Sequence, residues 1–161
     1  MSGEPDATGE AITADGISAL RAEVEELERT GRAEMAERIK TARELGDLKE
    51  NADYHIAKED QAKLETRIKR LRQRLRLAVV VEADEAAESF AFGRTAEVSD
   101  ETGKVHTWTL VGSTEADFAQ GRLSVESPIG RAMRDRPVGE SVTVDTPRGE
   151  RTFEVRALVD R

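Results

Sequence analysis

The chain has 161 residues, of which 36% are charged and only 4% aromatic, and its 33 acids against 25 bases give a net charge of −8. With no cysteine and two histidines, it lacks the residues for a disulfide scaffold, a thiol nucleophile or a His-rich metal centre. No apolar run approaches the ~20 residues of a membrane span, and no apolar signal core is present, so we expect a soluble, cytoplasmic protein. The acidic total also argues against general binding to duplex DNA, which requires a basic face.

Composition divides the chain near residue 81. Seven of the 12 glycines and three of the four prolines lie after residue 92, among many β-branched residues. This contrast predicts a helical region over residues 13–81 and a small sheet domain over 82–161. Residues 1–12 hold almost nothing to bury and are predicted to be a disordered tail.

Apolar residues recur at alternating steps of three and four in two stretches of the helical region, as in a heptad repeat. The positions are Ile17, Leu20, Val24, Leu27, Gly31, Met35, Ile39 and Ala42, then Ala57, Gln61, Leu64, Ile68, Leu71, Leu75 and Ala78. In an antiparallel hairpin, each position of the first stretch faces one position of the second, and the two residue numbers of every facing pair have a nearly constant sum. Here the sums lie between 98 and 100, which predicts an antiparallel coiled-coil hairpin. Its tip falls near Asp47–Asn51, and its stalk is about 45 Å long at 1.5 Å per residue. Three consecutive steps of four, from Leu27 through Gly31 to Ile39, predict local unwinding near Gly31.

Charges on the two arms are opposite. Residues 1–28 carry a net charge of −7 and residues 63–76 a net charge of +6. The hairpin register sets Glu23–Glu28 opposite Arg70–Arg76, which favours an interhelical charge zipper. An RNA or an acidic partner is the alternative use of the basic run.

The second region alternates strand and turn patterns. Strands are predicted at 95–98, 105–111, 122–125, 141–145 and 152–158, with Gly-containing turns at 100–103 and 146–149. Pro128–Arg134 is predicted to form a short helix capped by Ser127, and Trp108 and Phe153 are predicted core residues. The fold class is therefore α+β, a coiled-coil hairpin followed by a small α+β domain.

The predicted tip reads GDLKENADYH over residues 46–55, preceded by TAREL. This motif resembles the tip of the bacterial Gre-type (GreA/GreB) transcript cleavage and transcription elongation factors. The resemblance continues with Thr13, Gly16 and Leu20 at the start, and with VG at 111–112, EAD at 115–117, SVESPIGRA at 124–132 and a Pro-x-Gly…Phe-x-Val pattern at 147–155. It spans about residues 13–159.

The resemblance implies a factor that binds RNA polymerase through an FKBP-like C-terminal domain and inserts its coiled coil through the secondary channel. It implies that Asp47 and Glu50 are the essential acidic pair, lent to the polymerase active site. Glu126, Ser127 and Pro128 match the loop that contacts the polymerase, although Asp or Asn is more usual where Glu126 stands. The factor would not itself be an enzyme, would be a monomer, and would stimulate cleavage of backtracked RNA.

Residue chemistry supports a metal role at the tip. Two carboxylates three residues apart can point the same way, and their hard oxygens suit Mg²⁺. Because two carboxylates alone hold Mg²⁺ poorly, we expect no cofactor in the free protein and a Mg²⁺ shared with the polymerase active site. The alternative is a capping role, with Asp47 as helix N-cap and Glu50 at its N3 position.

Residues beside the acidic pair receive lesser roles. Lys58, Lys63 and Arg67 are candidates to contact the nascent RNA 3′ end, matching the family's basic patch. Tyr54 is expected to pack across the hairpin end, with stacking on an RNA base as the alternative.

Three other functions stay open at this stage. A channel-binding inhibitor of the same fold would slow elongation without cleavage, and a coiled-coil adaptor would tolerate changes at the tip. A prolyl isomerase acting through the C-terminal domain would need an aromatic-lined pocket.

Overall fold

The computed structural model describes residues 9–47 and 50–159, which form two compact units. The hairpin unit is Ile17–Leu77, and the sheet unit comprises the described residues 9–16 and 78–159. Residues 1–8 of the predicted tail, and Leu48 and Lys49 of the predicted tip, lie outside the described residues. None of the described helices is long and apolar enough to cross a membrane.

Two helical arms make the hairpin, as the periodicity predicts. The first arm comprises α1 (Ala14–Glu26), a π-helical segment (Leu27–Gly31) and α2 (Arg32–Arg43), and the second arm is α3 (Ala52–Leu77). The buried apolar residues all belong to the predicted heptad positions, namely Ile17, Leu20, Val24, Ile39, Ala42, Ala57, Ile68 and Leu71. The π-helical segment coincides with the predicted unwinding, since a wider turn absorbs the extra step of four.

Ion pairs join the arms along their flanks. Glu28 pairs with Arg72 as the zipper predicts, whereas Glu23 reaches Arg67, which lies nearer the tip than the predicted partners. Arg32 Nη2 lies 2.8 Å from Glu65 Oε1, and its Nε donates to Glu65 Oε2 at 3.0 Å. This two-bond contact lowers the pKa of the Glu65 carboxyl. Each exposed pair contributes only about 0.2–1 kcal/mol, so the pairs fix register more than stability.

Five strands form the main sheet of the sheet unit. They are β3 (Thr95–Asp100), β4 (Val105–Val111), β5 (Arg122–Ser124), β6 (Ser141–Thr146) and β7 (Gly149–Val159). Their order is β5-β4-β3-β7-β6, antiparallel except for the β4–β5 pair. All five coincide with predicted strands to within three residues at either end.

A short helix, α4 (Pro128–Met133), lies beside the sheet. The Ser127 hydroxyl accepts a hydrogen bond from Gly130 N at 3.0 Å, which confirms the predicted cap. Trp108 and Phe153 are 3% and 2% exposed, as predicted for core residues. They share the core with Phe90, Ala96, Val98, Leu110, Leu123, Met133, Val144 and Val155.

A two-stranded parallel pair shows that the predicted tail is partly ordered. β1 (Ala11–Ile12) pairs with β2 (Val79–Val80), and Val79 N donates to Glu10 O at 2.8 Å. Ile12 is only 3% exposed, so the prediction of disorder is wrong for these two residues. Local composition missed the strand because its partner lies more than 60 residues away in the chain.

Candidate functional site

The hairpin closes through a tip loop, of which residues 44–47 and 50–51 are described. α2 ends at Arg43, and Leu45 N donates to Ala42 O at 3.1 Å in a final turn. Gly46 then adopts φ +131°, in open space where a Cβ would meet nothing, so glycine is needed for its backbone conformation. Asp47, which follows Gly46, is exposed.

Asn51 is the residue that fastens the tip loop. Its Oδ1 accepts from Tyr54 N at 3.1 Å, which makes it the N-cap of α3, and its Nδ2 donates to Ala42 O at 2.5 Å. One side chain therefore ties the start of the second arm to the end of the first. The alternative in which Asp47 caps α3, with Glu50 at N3, is wrong because the helix begins four residues later than that reading requires.

Asp47 and Glu50 both lie in the tip loop with exposed side chains. Glu50 N donates to Asp47 O at 3.3 Å, so a backbone turn holds the two residues close together. Their carboxylates belong to the same exposed loop between the two arms. The arrangement presents two hard anionic ligands at the end of a long helical hairpin.

Within the described residues, no group of three or more His, Cys, Asp or Glu side chains is placed to hold a metal ion. The tip thus contributes a pair of carboxylates. Mg²⁺ takes six oxygen ligands and usually keeps several waters, so a pair fits a shared site better than a resident one.

Aromatic and basic side chains follow the acidic pair at the start of α3. Tyr54 is half-buried, with the guanidinium carbon of Arg43 5.8 Å from its ring centroid and the His55 ring 5.6 Å away at 70°. Tyr54 therefore packs across the hairpin end, as expected, and does not stand free. Asp53 is exposed in the first turn of α3, where its charge complements the helix dipole.

Three candidate RNA-contacting bases differ in their surroundings. Lys58 Nζ donates to Gln61 Oε1 at 3.0 Å, and Arg67 is engaged by Glu23 of the first arm. Lys63 is exposed and has no ion-pair partner in the part of the chain that the structure describes.

The sheet unit carries the second predicted surface. Ser127 N and Oγ both donate to Ser124 O, at 3.1 and 2.7 Å, and this turn leaves Glu126 and Pro128 exposed. The turn borders an apolar cavity of about 340 Å³, whose lining includes Phe118, Ile129 and Pro147. Phe118 is 59% exposed, an unusual exposure for so large an apolar side chain.

Sequence reasoning missed Asn51 and the exposed Phe118. Asn51 was recognisable in principle, because Asn is a preferred N-cap and stands three residues before Tyr54. No sequence signal separates Phe118 from a core aromatic, since its exposure depends on where the short 3₁₀ turn Phe118–Gln120 lies on the sheet.

Comparison with known proteins covers both units. The family model described as "Transcription elongation factor, N-terminal" matches residues 10–80, and that described as "Transcription elongation factor, GreA/GreB, C-term" matches residues 85–158. Transcription elongation factor GreA of Thioalkalivibrio sulfidiphilus is 41% identical over 91% of this chain and 95% of its own. GreA of Geobacillus kaustophilus is 41% identical over 91% and 94%. The crystal structure of Thermus aquaticus Gfh1 is 28% identical and covers 96% of this chain and 100% of its own, at a TM-score of 0.43.

A coiled-coil hairpin with an acidic tip, followed by a small α+β domain, defines a transcription elongation factor, a class that is not itself enzymatic. The chain belongs to the GreA/GreB family.

Proposed function

We propose that this elongation factor stimulates RNA polymerase to cleave backtracked RNA, by inserting the hairpin tip into the polymerase's secondary channel. The observation that carries the proposal is the exposed pair Asp47 and Glu50 on one loop at the end of the hairpin. The bond that breaks is an RNA phosphodiester, to which water adds, so that a new RNA 3′-hydroxyl lies in the polymerase active site. Elongation then resumes from that end.

The hairpin is long enough to carry the tip acids into a channel. α3 has 26 residues and is about 39 Å long, so the hairpin tip can reach deep into a channel. Asn51 fixes the loop that bears the acids, which limits the entropy lost when they bind at the active site.

Two carboxylates from the tip fit a Mg²⁺ ion whose remaining ligands come from the polymerase and the RNA. When bound, the ion supplies Lewis-acid activation of water for phosphodiester hydrolysis. Asp47 and Glu50 would hold it, and their negative charge would favour its binding beside the polymerase's own acids.

Basic and aromatic groups near the tip are assigned to the RNA. Lys63 and Lys58 would contact phosphates of the extruded 3′ segment, and Arg67 would do so only by leaving Glu23. The guanidinium of Arg43 lies over one face of the Tyr54 ring, so stacking on an RNA base would use the opposite face.

We assign polymerase binding to the turn of Glu126, Ser127 and Pro128, together with the neighbouring apolar cavity. Exposed Phe118 in the lining of this cavity is a suitable anchor, because interface cores favour aromatic residues. The cytoplasm, where transcription takes place in bacteria, is the expected location.

The test uses stalled, backtracked elongation complexes and the full chain. Asp47→Asn and Glu50→Gln should each lower the cleavage rate by roughly 100-fold, because each removes a charged ligand without changing side-chain size. Glu59→Gln, an exposed carboxyl on α3 outside the tip loop, is the matched control and should cleave like the unaltered chain. If both tip variants cleave like the control, the metal role is refuted.

The same assay separates the alternatives. A channel-binding inhibitor would slow elongation and release no cleaved RNA. The prolyl isomerase alternative is not favoured, since Phe118 is the one aromatic side chain in the described lining of the sheet-unit cavity. The family membership likewise disfavours a plain coiled-coil adaptor.

A further inference from the structure

One flank of the hairpin, next to the tip loop, carries a groove to which the proposed function assigns no role. We call it the tip groove. It encloses about 500 Å³ and is lined by Leu45, Ile56, Ala42 and Ala57, together with charged residues of both arms. Ala42 and Ala57 are 5% and 1% exposed, so two small side chains form its floor and leave the space above them open.

Two large apolar side chains border this space from opposite arms. Leu45 is 65% exposed and Ile56 is 52% exposed, and neither belongs to the heptad positions that bury the hairpin core. A single exposed aliphatic residue needs no explanation. Two of them lining one groove with an apolar floor form a contiguous apolar patch, which distinguishes them from singly scattered surface residues.

The charged residues around the patch are predominantly acidic. Glu34, Glu37 and Asp53 line the groove, and none of them forms an ion pair within residues 9–47 and 50–159. The one basic residue of the lining, Arg38, is neutralised by Asp60, with Arg38 Nη2 2.8 Å from Asp60 Oδ2. The groove is therefore apolar at its floor and negative at its rim.

We propose that the tip groove binds a segment of RNA polymerase that presents an apolar side chain flanked by Lys or Arg. This inference rests on the proposed function, because the tip must lie inside the polymerase for the groove to meet such a segment. Leu45 lies two residues before Asp47, so whatever surrounds the tip acids also surrounds the groove. A second copy of this chain is disfavoured as occupant, since a symmetric contact would bring the same three carboxylates together.

The contact would hold the acidic pair in position. Burial of the exposed parts of Leu45 and Ile56 would anchor one side of the tip loop, and the carboxylate rim would select a basic partner. Variants of the groove should therefore change the affinity for the polymerase and spare the chemistry at saturation.

The experiment titrates full-length factor into backtracked complexes and measures cleavage. Two variants carry the test, L45A/I56A for the apolar patch and E34K/E37K for the rim. Each should raise the half-maximal factor concentration about tenfold and leave the plateau cleavage rate unchanged. The matched controls are Val105→Ala, a 54% exposed aliphatic residue of the sheet unit, and Glu59→Lys on α3, which should stay within about twofold of the unaltered chain.

Folding and salt dependence complete the design. Circular dichroism should show unchanged helix content for L45A/I56A, since Leu45 lies in the tip loop and alanine favours helix at Ile56 of α3. The affinity of E34K/E37K should also depend less steeply on salt than that of the unaltered chain, because two attractive carboxylates are replaced by ammonium groups that repel a basic partner.

Three results would overturn the inference, and they differ from one another. If the unaltered chain fails to stimulate cleavage, both the proposed function and the role of the groove are refuted. If the unaltered chain stimulates cleavage and the groove variants behave like the controls, only the role of the groove is refuted. Self-association in sedimentation velocity that L45A/I56A abolishes, with polymerase affinity unchanged, would assign the groove to a second copy.

Discussion

Replacing Asn51 tests whether one side chain holds the tip loop. In Asn51→Ala, α3 loses its N-cap bond to Tyr54 N, at 3.1 Å, and the clamp to Ala42 O, at 2.5 Å. Loss of an N-cap costs about 1 kcal/mol, and loss of a further hydrogen bond costs about 1 kcal/mol. We therefore expect the hairpin to be destabilised by about 2 kcal/mol.

Asn51→Asp separates the two bonds. The carboxylate can still accept from Tyr54 N but cannot donate to Ala42 O, so about half of the destabilisation, about 1 kcal/mol, should remain. Ala42 O still accepts from Leu45 N at 3.1 Å, so the loss of the clamp leaves that carbonyl with a partner. The order of stability should be Asn, then Asp, then Ala.

Urea unfolding followed by two probes measures the effect. Far-UV circular dichroism reports mainly on the helical hairpin, while the single tryptophan, Trp108, reports on the sheet unit. The dichroism transition should shift to lower urea in the order given. Equal midpoints for all three chains would refute the clamp, and reduced cleavage by Asn51→Ala at saturating factor would show that the clamp also orders the acids.

Two further predictions concern stability. Gly31→Ala should raise hairpin stability by about 0.5–1 kcal/mol, because alanine favours helix over glycine. The Gly31 φ of −59° suits any residue, and an added Cβ would lie 3.5 Å from Leu64 Cδ1, in ordinary contact. A lower urea midpoint for the variant would show that the π-helical segment needs glycine. Asp100, with a 5% exposed side chain, has its pKa held well below the usual range, chiefly by the Thr102 hydroxyl and then by His106. Ionised Asp100 therefore stabilises the folded state fully above the unfolded-state pKa near 4, and this stabilisation is lost as pH falls toward the folded-state pKa. Asp100→Asn should be less stable than the unaltered chain at pH 7, as measured by Trp108 fluorescence, and the difference in stability should narrow from pH 4 to 2. A difference that stays constant with pH would contradict this role of Asp100.

Local patterns in the sequence determined most of the secondary structure. The heptad steps fix which residues of each arm face the partner, because α-helical hydrogen bonding sets a constant period. Even the irregularity was readable, since the extra step of four near Gly31 lies in the π-helical segment. Strands and turns of the sheet unit followed from alternation and from glycine positions in the same way.

The position of Asp47 and Glu50 at the end of the hairpin was likewise predicted from the sequence, because their motif is contiguous and falls at the turn between the two arms. Their capping alternative was excluded only by the structure, which starts α3 at Ala52 and places Asn51 at the cap. Which residue caps α3 depends on the backbone angles of a few residues in the tip loop, and those angles are set by how the two arms meet.

Contacts between distant residues were decided by the tertiary structure alone. Ile12 is buried because β1 pairs with β2 far along the chain, and Thr13 N donates to Glu115 Oε2 at 3.0 Å across 102 residues of sequence. The tip groove exists because Ala42 and Ala57 meet at its floor while Leu45 and Ile56 stand at its edges. The hairpin register predicted that Ala42 and Ala57 meet, whereas the open space above them depends on which side chains the two arms bring to its edges.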